Sequence, residues 1–125
     1  MIHSNIRMLH RTEPHVPDED FYCLHSEICK TLANAKRQMI LGSLRDEELT
    51  VGELHERTGI PQATLSQHLA ILRNRGVVRA RRAGTRVHYA IANPKIIQAF
   101  DLITEVMQES LDAQKQTVAD VTAGK

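Results

Sequence analysis

At Gly76 the hydrophobic period of the chain changes from that of a helix to that of a strand. Before it, Leu65, Leu69 and Leu72 recur at helical spacing. After it, Val78 and Ala80 alternate with Arg79 and Arg81, and Val87, Tyr89 and Ile91 alternate with Arg86, His88 and Ala90. Joined by Ala83-Gly84-Thr85, these runs predict a two-stranded hairpin with an arginine-rich tip. Upstream, Thr50-Val51-Gly52-Glu53 has the spacing of a capping box, in which Thr and Glu satisfy each other's orphan amides. The short helix it opens ends at Gly59. A second helix is expected over residues 62–75, preceded by Pro61, whose missing N–H does no harm there, and closed by Gly76. A short helix, a Gly-containing turn and a second helix form a helix-turn-helix.

The flanking segments complete the arrangement. Residues 1–17 are polar, with Pro14 and Pro17, and read as a flexible N-terminal arm. A first helix is expected near Asp18, where Glu19 and Asp20 suit the positive end of the dipole. Phe21, Leu24, Ile28 and Leu32 would form its buried stripe. Asn34 can cap a second helix that turns Ile40, Leu41 and Leu44 inward, and Asp46-Glu47-Glu48 read as a solvated link. Asn93-Pro94 restarts helix, with Ile96, Phe100, Ile103, Met107 and Leu111 in a narrow seam suited to packing on another helix. Residues 116–125 read as a frayed tail. The expected fold is mainly α with a small β-hairpin wing, a winged helix-turn-helix occupying residues 18–115.

Charge is distributed unevenly. Residues 61–95 carry seven cations (Arg73, Arg75, Arg79, Arg81, Arg82, Arg86 and Lys95) and no acid, while the segments on either side are each net −3. An acid-free block inside an otherwise acidic chain points to a polyanion-binding face. Four aromatics and no tryptophan argue against a surface built to stack single-stranded bases. No apolar run is long enough to cross a membrane, and the first residues lack the apolar stretch of a signal peptide, so a cytoplasmic protein is expected. Its two cysteines are expected as thiols.

Four segments carry a family resemblance: Leu32 to Arg37 (LANAKR), Thr50 to Leu54 (TVGEL), Gln62 to Leu72 (QATLSQHLAIL), and Gly76 to Ala90 with its basic hairpin. In this order they resemble the ArsR/SmtB repressors over roughly residues 24–111. The resemblance implies a homodimer, joined through its first and last helices, that sits on double-stranded operator DNA and leaves when an effector binds.

On the proposed reading helix, Leu65, Leu69 and Leu72 share the core face, and Gln67, Ala63 and Ala70 lie opposite. Ser66 and Thr64 border that outer face, and Gln62 stands in the first turn. Small residues beside an amide and hydroxyls let such a helix lie deep in a major groove, where Gln pairs with adenine and Ser with donors or acceptors. His68, nearer the core edge, reads as a packed or phosphate-contacting histidine. Arg79, Arg81, Arg82, Thr85 and Arg86 on the hairpin would contact phosphates or enter the minor groove. Arg73 and Arg75 suit the negative end of the helix dipole as well as DNA.

The effector is open at this level. Metal-sensing relatives place Cys-x-Cys where this chain has Thr50-Val51-Gly52, and others use histidines on the final helix, where this chain has Asp101, Glu105, Glu109 and Asp112. What remains lies at the front: His3, His10, His15, Cys23, His25 and Cys29. Cys23 and Cys29 stand about 9 Å apart along a helix and cannot bond while it is intact. Cys29 and His25, four residues apart, could hold a metal or metalloid ion if a third ligand came from the arm or the partner subunit. Cys29 could equally be a redox or electrophile-sensing thiol, or a small apolar filler. An enzyme is not expected: Cys23 and His25 diverge on their helix, and no phosphate loop or paired-carboxylate motif occurs. The alternative is a winged helix used only for protein contacts, which would not need seven cations without an acid.

Overall fold

The computed structural model describes residues 18–124. The expected arm, with His3, His10 and His15, lies outside the described residues. The chain runs α1 (Glu19–Leu32), α2 (Ala35–Ser43), β1 (Leu49–Thr50), α3 (Val51–Thr58), α4 (Gln62–Asn74), β2 (Val78–Ala83), β3 (Arg86–Ile91) and α5 (Pro94–Ala123).

Local chemistry sets these boundaries. Side-chain oxygens of Asp18, Asn34 and Asn93 accept from backbone N–H groups in the first turns of α1, α2 and α5. At α3 the capping box is complete: Thr50 Oγ1 accepts from Glu53 N, and Glu53 Oε1 accepts from Thr50 N. Gly59, at φ 74°, ends α3 in the left-handed region, which releases the chain into the turn. α4 closes in a Schellman motif, with Gly76 N donating to Arg73 O and Val77 N to Leu72 O. Both Leu72 and Val77 are buried, as that motif's hydrophobic contact requires.

Leu65, Leu69 and Leu72 of α4 join Ile40, Leu41, Leu44, Leu49, Leu54, Ile60, Val77 and Val78 in one core. The side chains of this cluster come from residues 40–78, with Leu32, Tyr89, Ile91, Ile96 and Phe100 packed against it, so the helix-turn-helix and the base of the hairpin share one core. The hairpin turns through Gly84-Thr85, with Ala83 paired to Arg86 and Gly84 at φ 64°.

Three expectations need correction. The sheet has three strands in the order β1-β3-β2, because Leu49 and Thr50 pair with Tyr89 and His88; two residues are too short for a period to show. The last helix does not fray near residue 116 but continues to Ala123. No Gly or Pro interrupts it before Gly124, and Gln108→Asp112 and Gln116→Asp120 hydrogen bonds brace its exposed face at i, i+4. The stripe of α1 is not buried within one chain: Leu24 is 49% and Ile28 43% exposed. Beside it, Ile103 and Met107 of the α5 seam are also exposed. Cys29 and Leu32 of α1 flank, with Phe100, Ile103 and Met107 of α5, an open apolar groove of about 270 Å³.

Candidate nucleic-acid interface

α4 presents its two faces as the sequence pattern requires. Leu65, Leu69 and Leu72 are buried, whereas Gln62, Ala63, Ser66, Gln67 and Ala70 are exposed and Thr64 is half-buried. Because three leucines hold the inner face in the core, the outer face is fixed in direction rather than free to rotate. Arg73 is exposed in the last turn. The hairpin follows within a few residues, with Arg79, Arg81, Arg82, Thr85 and Arg86 exposed along it.

The arginines are not equivalent. Arg81 is held by Glu48 in a two-point pair, Nη2 at 2.6 Å and Nε at 3.3 Å. This bond lowers the Glu48 carboxyl below its ordinary value. Arg79 Nη1 donates to Ile91 O at 3.0 Å, and Arg75 lies 3.6 Å from Glu27 of α1. For Arg73, Arg82 and Arg86 there is no such pair among the described residues. The block that is acid-free in sequence thus borrows acids from α1 and from the link before β1, and its cations without such a pair among the described residues sit at the hairpin tip, at the end of α4 and, as Lys95, in the first turn of α5.

His68 is half-buried and turned toward the body. Its Nδ1 accepts from Arg37 Nε at 3.2 Å. Burial, then Arg37 and Lys36, push its pKa below the ordinary 6.5. An unprotonated Nδ1 places the ring proton on Nε2. In the free protein it joins α4 to α2.

At the opposite end, Cys29 Sγ lies 3.5 Å from His25 Nδ1. Cys23 and Cys29 are both free and exposed. Among the described residues no three His, Cys, Asp or Glu side chains gather as a metal site. The Cys29–His25 pair offers two donors, which do not complete a tetrahedral or octahedral shell.

Sequence reasoning missed the partners that position these side chains. Glu48, expected in a solvated link, binds Arg81, and Arg37, which carries no signal along the chain, binds His68. Both contacts join residues more than thirty apart, and no local pattern signals such a pairing.

Residues 34–80 match the family described as bacterial regulatory protein, arsR family. Over 83 residues the chain is 45% identical to the HTH-type transcriptional regulator KmtR of Mycobacterium tuberculosis, a match covering 66% of this chain and 63% of KmtR. The chain thus aligns with less than two thirds of that relative's length. The crystal structure of M. tuberculosis Rv0081 superposes with a TM-score of 0.73 at 38% identity, covering 78% of this chain and 98% of that one. The homodimeric winged helix-turn-helix DNA-binding domain of Mb0332 from Mycobacterium bovis superposes with a TM-score of 0.66 at 33% identity, covering 77% and 92%. Among the described residues no helix is long and apolar enough to cross a membrane.

Proposed function

Because the chain belongs to the arsR family of bacterial regulatory proteins, we propose that it is a homodimeric, DNA-binding transcriptional regulator. It acts as a repressor that leaves its operator in response to an effector. One observation carries the reading: the small, polar outer face of α4 is exposed and held rigidly from behind, beside a hairpin whose tip carries Arg82 and Arg86. In this reading α4 enters the major groove, where Gln62, Ser66 and Gln67 meet base edges and Ala63 and Ala70 allow close approach. Thr64, Thr85 and the arginines contact the phosphate backbone. His68 contributes by orienting α4 and leaves its Nε2–H as the available donor.

Two copies are joined through α1 and α5. Cys29 and Leu32 at the end of α1 and Phe100, Ile103 and Met107 of α5 line one apolar groove, Leu24 and Ile28 of α1 are exposed as well, and covering such apolar surface favours association. The effector site is the Cys29–His25 pair on the rim of that groove. Modification of the sulfur there changes bulk or charge where the subunits pack, and so changes the spacing of the two reading helices. A third donor from the partner subunit or the arm would let the pair take a metalloid ion instead.

The test is selection of duplexes from a random library by the wild-type dimer, followed by Gln67→Ala. The variant is expected to lose on the order of 1–3 kcal/mol on the selected duplex and little on unselected DNA. Equal loss on both would move the reading surface elsewhere. A wild-type protein that enriches no duplex, and whose binding is insensitive to salt, would instead be a protein-interaction module.

A further inference from the structure

The link between α2 and β1 contains Arg45, Asp46, Glu47 and Glu48, and three of these four reach three different elements. Arg45 Nη1 and Nη2 contact Asp101 Oδ2 and Oδ1 of α5 at 3.0 and 2.7 Å. Glu47 takes both terminal nitrogens of Arg57 of α3, each at 3.1 Å. Glu48 takes Arg81 of β2 in the pair described above. All three are two-point guanidinium–carboxylate pairs, the geometry in which an ion pair also fixes direction.

The Glu48–Arg81 pair spans the outer face of the sheet. Arg81 pairs in register with His88 and Arg79 with Ala90, while Glu48 immediately precedes the β1 pairing with β3. A side chain reaching from β1 to β2 must therefore cross β3, and Ala90, the small residue beside that crossing, is 7% exposed. Between the link, the base of the hairpin and the start of α5 lies a cleft of about 490 Å³, bordered by Leu44, Arg79, Ile91 and Ile97. Ile96 and Phe100 anchor α5 on the core, but on the side of the cleft no packed side chains join α5 to the hairpin, and there the ion pairs of the link add the constraint.

We propose that this link positions the hairpin against the last helix, clamped by Arg45–Asp101 at one end and Glu48–Arg81 at the other. Asp101 and Glu48 are then positioning residues for DNA binding, although each is a carboxylate that a phosphate backbone repels. Isolated exposed pairs are worth little, but two-point pairs sharing one short segment form a network. The link sits between the helix expected to join the subunits and the arginines expected to meet DNA, so the hairpin's pose follows the placement of α5. This inference rests on the DNA-binding reading above.

The test uses the full-length dimer and the duplex that the wild type selects from a random library. Asp101→Asn and, separately, Glu48→Gln are expected to weaken that duplex about two- to fivefold, with dimer mass unchanged in sedimentation. Exchanging the charges, Arg45→Asp with Asp101→Arg, is expected to restore binding to within about twofold of wild type, which a loss of folding would not allow. In amide NMR spectra without DNA, Gly84 and Thr85 at the hairpin tip are expected to shift in Asp101→Asn, although residue 101 is remote in sequence. Wild-type affinity in both single variants, failure of the exchanged pair to recover, or unmoved Gly84 and Thr85 resonances would each overturn the inference. If the wild type enriches no duplex, the DNA-binding reading falls, and the NMR comparison alone decides whether the link positions the hairpin.

Discussion

Arg37 donates a 3.2 Å hydrogen bond from Nε to His68 Nδ1, and through Nη1 it donates to Thr31 O at 3.0 Å. One guanidinium thus ties the end of α1 and the start of α2 to the middle of α4. The bond to His68 exists only while the imidazole is neutral, because a protonated Nδ1 is a donor facing a donor. Burial and the two neighbouring cations favour that neutral form.

The sign of the resulting pH dependence follows from linkage. His68 binds its proton less readily in the folded chain than in the unfolded one, so its stabilising contribution is full above the ordinary value of 6.5 and declines as pH falls below it. His68→Ala is expected to lower stability by about 1 kcal/mol at pH 7.5. The gap to wild type should narrow on acidification below 6.5, as read by denaturant melts across that range. A gap that widens on acidification would mean that the ring is held charged.

Ile103 is 68% exposed in the single chain and lies in the α5 seam beside the groove that α1 flanks. Ile103→Glu places a charge where the partner helix is expected and should produce folded monomers that no longer bind the selected duplex. Sedimentation showing an unchanged dimer would put the interface on another face.

Counterion release distinguishes the wing arginines. Arg82→Ala and Arg86→Ala are each expected to flatten the dependence of log K on log salt by about one unit. Arg81→Ala should flatten it by clearly less, because Glu48 already neutralises that guanidinium in the free protein. Equal slopes for all three would show that Arg81 leaves Glu48 for a phosphate in the complex.

Cys29 is the residue on which the effector reading stands or falls. Hydrogen peroxide converts a thiolate to sulfenic acid with release of hydroxide. This treatment is expected to release wild type and Cys23→Ser from the selected duplex, whereas Cys29→Ser stays bound. An arsenite arm run alongside separates metalloid capture from oxidation. If Cys29→Ser is released like wild type under both, Cys29 is a filler and the sensor is elsewhere.

What the sequence determined by itself is what neighbours along the chain decide. The Thr50–Glu53 box, the Asn34 and Asn93 caps, the turn at Gly59 and the closure at Gly76 are contacts within a few residues, so the residue types show them directly. The inward leucines of α4, and with them the outward Gln67, follow from a period of 3.6. Only the tertiary structure decided the rest. The two-residue strand β1 carries no period. The pairs Arg37–His68, Glu48–Arg81 and Arg45–Asp101 join residues 31, 33 and 56 apart, and each turns a side chain that looked solvent-directed into a tie between elements. Charge counted along the chain gave one uniform basic block; charge in three dimensions divides it into arginines already held by carboxylates and arginines left for a partner, because electrostatic energy depends on distance through space and not along the sequence.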